Sequence, residues 1–364
     1  MADDTNFAES KVKEYLDSFT NSSAKESSFP RVFCCKTSHS LYCKECCNLL
    51  VADDALPTPV RIRKQHCKCK SGKGLVDREA TIANCDRSDP NDIPAHEDPE
   101  SIKIFEDGPL RLPFDLHVIL DDRRTSSTGL HAIALLGGAC CNNSRNEFDQ
   151  STDSSTERLQ CTCNKLGTVT LTDVEKLDRF EQSEILDNAM ETYDVSNKDE
   201  DGPSTYLLFP CPGESVPLEA VSDKVKTLIV LDCKWTKSGV WRQSRRLRNL
   251  PKAHLSSPPT ESHFWRWHNA GPGMMSTIEA IYYASLEVYQ GRYKQLVFGS
   301  SPQSRIDDCL RDEHNSVHLL WLFGHQRQAT LEKAKGEGKA APCCEDGKEA
   351  QRALRRRKIT WSPK

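Results

Sequence analysis

A carboxylate closes one of the most apolar runs of the chain. Thr227 to Leu231 (TLIVL) ends in Asp232, and Cys233, Lys234 and Trp235 follow. An aspartate at the carboxyl end of a buried strand, next to an aromatic, has the placement of a general base beside a flat ligand. From spacing alone the same residue reads better as the N-cap of a helix opening near Trp235. A second candidate is the turn Leu208-Phe209-Pro210-Cys211-Pro212-Gly213, which also leaves a strand at its carboxyl end, where α/β sheets bind ligands. A third is the stretch from His263 to Ala284. Ser276 and Glu279 have the spacing of a capping box, which alone accounts for both. The free N–H groups of the helix they open could also hold a ligand carboxylate. Upstream, Arg266 lies between Trp265 and Trp267, a guanidinium between two stacking surfaces useful for RNA, although such tryptophans are also ordinary strand residues. Arg242, Arg245, Arg246 and Arg248 cluster with Lys237; they read as a solvated basic face or as a patch that contacts phosphates.

The cysteines suggest different chemistry. Cys43-Lys44-Glu45-Cys46 is a knuckle, with Cys34 and Cys35 a short way upstream. Four thiolates close in sequence suit tetrahedral zinc in a closed, structural site. Adjacent cysteines seldom reach one ion together, so Cys67 or Cys69 is an alternative fourth ligand, and a cluster of metal-free thiols is the competing reading.

These residues need elements to hold them. Phe114, Leu116, Val118 and Leu120 alternate as in a buried strand, and His131 to Leu136 is a second apolar stretch. Tyr206–Phe209 and Thr227–Leu231 read as short buried strands. A basic helix is expected from Trp235 to Leu250, an amphipathic helix from Ser276 to Gln290 and another from Val317 to Lys333. Strands alternating with helices imply an α/β layer built on a mainly parallel sheet. Residues 1–30 read as a disordered leader, 31–70 as a small Cys-rich zinc-binding module and 110–336 as the catalytic domain. Within that domain 137–202 reads as a polar insertion carrying one helix near Asp173 to Met190, and 337–364 as a basic tail.

Composition narrows the classes. Of 364 residues 37% are hydrophobic and the formal net charge is −4, so an RNA site must be a local patch rather than overall basicity. The amino end lacks the apolar core of a signal peptide, and no run reaches the roughly 18 apolar residues of a membrane helix. A soluble intracellular protein with no membrane partner is therefore expected. Its 17 cysteines are then thiols or metal ligands rather than disulfides. Ala353–Lys358 (ALRRRK) is a short basic run of the kind that directs nuclear import. Oligomeric state has no signature in the sequence.

Taken in order, FCCKTSHSLYCKECC, LPFDLHVILDD, STGLHAIALL, LLFPCPGESV, TLIVLDCKW, FWR and STIEAIYY resemble the DTW-domain family, in its eukaryotic type-one branch of tRNA-uridine aminocarboxypropyltransferases. The resemblance spans about residues 31–290. It implies a SPOUT-like α/β fold with a C-terminal trefoil knot that binds S-adenosylmethionine, preceded by the zinc module. On that reading Phe209, Pro210, Gly213, Leu231, Asp232, Trp235, Ser276 and Thr277 line the cofactor pocket. Asp232 becomes the base for uridine N3, Arg242, Arg245 and Arg266 meet tRNA, and Cys34, Cys35, Cys43 and Cys46 hold zinc. The reaction implied is transfer of the 3-amino-3-carboxypropyl group to N3 of a tRNA uridine, in the D-loop as the branch suggests, with methylthioadenosine leaving. The alternatives are a SPOUT-type RNA methyltransferase and a non-catalytic zinc-dependent RNA-binding protein. The sequence departs from the family at Lys234, where the family has Thr, at Asp121–Asp122, where a His-Pro pair is common, and at Val32, where the first zinc cysteine would fall.

Overall fold

A computed structural model describes residues 2–21, 110–124, 126–136, 156–157, 167–191, 193, 202–234, 242, 244–260, 262–264, 274–299 and 301–338. The zinc-module cysteines, Trp235, Arg266 and the basic run at 353–358 lie outside the described residues. The elements are α1 (Ala2–Asn21), β1 (Asp115–Leu120), α2 (Gly129–Leu136), β2 (Thr156–Glu157), β3 (Val169–Asp173), α3 (Arg179–Ala189), β4 (Thr205–Leu208), β5 (Ser215–Pro217), β6 (Thr227–Asp232), α4 (Arg245–Asn249), β7 (Lys252–His254), α5 (Thr277–Phe298), α6 (Gln303–Asn315) and α7 (Trp321–Gly336). Short 3-10 turns, Leu218–Val221 and Ser316–Leu320, precede β6 and α7.

The strands form one sheet in the order β2-β3-β1-β6-β4-β7-β5. Six run parallel, and only the two-residue edge strand β2 is antiparallel. The α/β class read from the sequence is thus the observed one. Helices cover both faces, which is why β1 and β6 are apolar almost throughout instead of alternating with polar residues. Side chains still alternate between faces. Leu116, Val118, Leu120, Leu228 and Val230 enter the larger core with α2, α5, α7 and α1. Ile119, Ile229 and Leu207 enter a smaller core under α3 and α4. His117 takes the second face of β1, where its ring nitrogens meet Thr172 Oγ1 at 2.8 Å and the Tyr193 hydroxyl at 3.0 Å.

Three expectations change. The leader expected to be disordered contains α1, because Ala8, Val12 and Leu16 repeat every four residues and bury one helical stripe in the main core. The block 137–202, read as an insertion with one helix, has that helix as α3 but also supplies β3, an interior strand paired with β1 from Leu116↔Val169 to Leu120↔Asp173. The basic helix does not run from Trp235. Ser244 has extended backbone (φ −89°, ψ 130°) and its hydroxyl accepts from Leu247 N–H, so the helix starts at Arg245.

Candidate functional site

Alternation along β6 fixes where its last residue points. Leu228 and Val230 face the core that contains α5, so Asp232 emerges on that same face, at the carboxyl edge of the sheet. Two helix starts meet there. Before α2, Arg123 carbonyl accepts from the Ser126 and Ser127 N–H groups at 2.7 and 3.0 Å, and this turn delivers Ser127, Thr128 and Gly129 to the carboxylate. Ser127 Oγ donates to Asp232 Oδ2, and Gly129 N–H donates to the same oxygen at 2.8 Å. From α5, Thr277 Oγ1 donates to Oδ1 at 2.8 Å. Thr128 Oγ1 also receives Ile278 N–H at 3.4 Å, which ties the two helix starts to each other.

Asp232 is 4% exposed. Burial pushes its pKa above the usual carboxylate range, and the donors Ser127, Thr277 and Gly129 pull it part of the way back. The anion also sits at the N-terminus of α2, where the helix dipole favours negative charge. Asp232 thus fastens the starts of α2 and α5 to the sheet. The close approach of α2 depends on Gly129, where a Cβ would stand 2.6 Å from Asp232 Oδ2 and 3.1 Å from Val118 Cγ1. Gly129→Ala is expected to lower unfolding stability by about 1–3 kcal/mol, as overpacking does, and to displace the carboxylate. Chemical denaturation checks it, and a variant as stable as the parent would refute the close fit.

At α5 the expected capping box is present. Ser276 Oγ accepts from Glu279 N–H, and Glu279 Oε2 accepts from Ser276 N–H at 2.9 Å. Glu279 is buried and also receives the Ser262 hydroxyl and His263 N–H, both at 2.7 Å, which holds the approach to residues 265–273 against the helix. The N–H groups of Ile278 and Glu279 are thus used within the protein.

The other residues that the resemblance assigns to a cofactor pocket divide between the faces. Phe209 and Leu231 pack with the smaller core on the far side of the sheet from Asp232 and Thr277. Since β4 and β6 are neighbours, both groups reach the same carboxyl edge. A ligand touching both would straddle the crest of the sheet. Pro210 and Gly213 are exposed in the turn after β4, with Gly213 at φ +77°, the left-handed region that glycine tolerates. Cys211 carbonyl closes that turn by accepting from Glu214 and Ser215 N–H at 3.0 and 2.9 Å, and Lys252 Nζ anchors Glu214 at 3.0 Å. Arg242, Arg245 and Arg248 are exposed nearby in sequence, whereas Arg246 pairs with Glu191 at 3.3 Å. Among the described residues no group of His, Cys, Asp or Glu is arranged to hold a metal ion, and no helix is long and apolar enough to cross a membrane.

Sequence reasoning missed Ser127 and Gly129 as partners of Asp232. The cue was present as Ser-Thr-Gly ahead of an apolar stretch, a helix-start signature.

The parallel sheet defines an α/β protein, and its carboxyl edge, where such sheets bind ligands, gathers a buried aspartate and two helix starts. A comparison with protein families finds one match: residues 144–299 are similar to the DTW domain. That domain connects it with tRNA modification. The matched span includes Asp232 and Thr277 and begins after α2, so Ser127 and Gly129 are contributed from outside it. No curated protein and no solved structure matches the chain.

Proposed function

We propose that the protein transfers the 3-amino-3-carboxypropyl group of S-adenosylmethionine to N3 of a tRNA uridine. The observation that carries this reading is the buried Asp232 carboxylate, raised in pKa and held by two helix starts at the ligand edge of a DTW-domain sheet. The uridine N3–H must lose its proton as the carbon–nitrogen bond forms, and a carboxylate of raised basicity suits that task. The sulfonium of the co-substrate supplies the activation, so the protein has to provide alignment and one base. Phe209 and Leu231 offer apolar surface for the adenosine, and the resemblance adds Trp235 to the residues for the cofactor. The exposed Arg242 and Arg245, with Arg266, are the residues for tRNA phosphates and bases.

The SPOUT-like, knotted reading is supported by strand order. β7 sits between β4 and β5, two strands already joined through residues 209–214. For Cys34, Cys35, Cys43 and Cys46 we keep a structural zinc ion, which elemental analysis of the purified chain tests at one equivalent; metal-free protein removes it. Nuclear residence through 353–358 stands on the basic run alone, and a fluorescent fusion lacking 351–364 that localises like the full chain ends it.

The test is reconstitution of the full chain with tRNA and S-adenosylmethionine, followed by mass spectrometry of nucleosides and by-products. 3-(3-Amino-3-carboxypropyl)uridine with methylthioadenosine is the expected outcome. S-adenosylhomocysteine with a methylated base would identify a methyltransferase. Cofactor-independent tRNA binding with neither product would identify a non-catalytic RNA-binding protein.

A further inference from the structure

Asp232 is too enclosed to meet a nucleobase directly. It is 4% exposed, and the three groups donating to it occupy both carboxylate oxygens. Two of these donors are enclosed as well, Ser127 at 3% exposure and Gly129 buried beneath the carboxylate. The third, Thr277, is half-buried, so among the described residues its hydroxyl links Asp232 to the open side of the sheet edge.

The position of Thr277 explains why its hydroxyl is available. A threonine inside a helix usually bonds back to the carbonyl three or four residues earlier. Thr277 is the first residue of α5, where the helix has no such carbonyl to offer. Its neighbour Ser276 already serves as the N-cap, with its hydroxyl accepting from Glu279 N–H. Thr277 Oγ1 is thus left to point out of the helix, and it lies 2.8 Å from Asp232 Oδ1.

We propose that Thr277 is a catalytic residue that relays the uridine N3 proton to Asp232, an inference that rests on the transferase reading above. Uridine N3–H donates to Thr277 Oγ1, and the hydroxyl's own proton passes to Asp232 Oδ1. The N3–carbon bond forms as the carbon–sulfur bond of the sulfonium breaks. The electron pair of that bond stays on sulfur, and neutral methylthioadenosine leaves. Thr277 ends as a hydroxyl again and Asp232 as a neutral acid, which returns its proton to solvent by the reverse path once product has gone. The relay assigns distinct work to two residues. Asp232 provides basicity in a dry site, and Thr277 provides contact with the base.

The experiment compares Thr277→Val and Thr277→Ser in the full chain with tRNA and S-adenosylmethionine. Valine keeps the branched shape without the hydroxyl, and serine keeps the hydroxyl. Single-turnover transfer at saturating cofactor is expected to fall about 100-fold or more in Thr277→Val and to stay within a few-fold of the parent in Thr277→Ser. Equilibrium binding of S-adenosylmethionine should be near normal in both, as should melting temperature. The residual rate of the valine variant should rise with hydroxide across neutral pH, because its base is disconnected from the substrate. In ligand-free protein, infrared titration should place the Asp232 midpoint higher in Thr277→Val than in the parent, since a hydrogen bond to the charged form is gone.

A valine variant that transfers within a few-fold, with the parent's pH profile, overturns the relay. So does one whose rate is restored by more cofactor, because Thr277 would then be a binding group. An inactive serine variant that folds and binds also overturns it. A parent protein that makes no aminocarboxypropyl product removes the transferase reading, and the relay with it; an active parent beside an active valine variant removes the relay alone.

Discussion

Asp232→Asn protein is expected to fold, to bind S-adenosylmethionine and tRNA near normally, and to lose about 100-fold or more in single-turnover transfer. The carboxamide can keep the joint intact. Its oxygen accepts from Ser127 and Gly129, and its NH2 donates to Thr277 Oγ1 in place of accepting. Folding should not suffer, and the sign follows from linkage. Burial raises the pKa of Asp232 in the folded protein above the unfolded value. The native state then binds the proton more tightly, so this residue's contribution to stability is fully present below the unfolded pKa and is lost as pH rises through the folded one. At neutral pH the buried charge costs stability, and Asn removes that cost. The variant should melt no lower than the parent at neutral pH, and its relative advantage should vanish on acidification. Transfer by the parent should fall on acidification as Asp232 takes up its proton, at a pH above the ordinary carboxylate range. Rate and calorimetry measured across pH check both statements. Transfer surviving within a few-fold in the Asn variant would leave Asp232 as a mechanical joint and place the base elsewhere.

Leu16→Ala is expected to cost about 2–5 kcal/mol, which for many domains is a large part of the total stability. Leu16 is 1% exposed in a core shared with α5 and α7, and its removal leaves a cavity that neighbouring elements can fill only in part. The rest of α1 is fixed on both sides. Tyr15 hydroxyl meets His318 Nδ1 at 3.0 Å, the Phe19 ring lies edge-on to His325, and Glu9 accepts from Thr260 N–H at 2.6 Å. The helix therefore cannot slide to close the gap. Urea denaturation of the two proteins gives the difference, and a loss under about 0.5 kcal/mol would mean that α1 does not pack as described.

What the sequence showed and hid follows from the range of each interaction. β1, β6 and the Ser276–Glu279 box were readable because their signals are local: apolar runs of strand length, and two residues three apart. β3 was hidden because Val169–Asp173 carries only alternating apolar residues, Val169 and Leu171, inside a polar block. α1 was hidden for the opposite reason, since its apolar stripe is diluted by the acidic and polar residues of its solvent face. The site was half legible. Asp232 and Thr277 could be singled out one at a time, but their contact spans 45 positions and that of Asp232 with Ser127 spans 105, so the sheet alone brings them together. The basic helix was placed too early because an arginine-rich run carries no start signal of its own. Ser244 supplies that signal, and only its extended backbone and the bond from Leu247 reveal it.

The seat of β7 between β4 and β5 has a consequence for synthesis. β4 and β5 leave the ribosome well before Lys252–His254, and neither is the other's neighbour in the finished sheet. Until β7 arrives, β4 presents one unpaired edge, with Leu207 and Leu208 beside it, and β5 lacks the strand it pairs with among the described residues. Unpaired strand edges of this kind recruit other chains. Parallel pairing between segments so far apart is also slow. A nascent chain whose β4 to β6 have emerged before Lys252–His254 is thus open to aggregation, and the pairing of β7 covers the facing edges of β4 and β5.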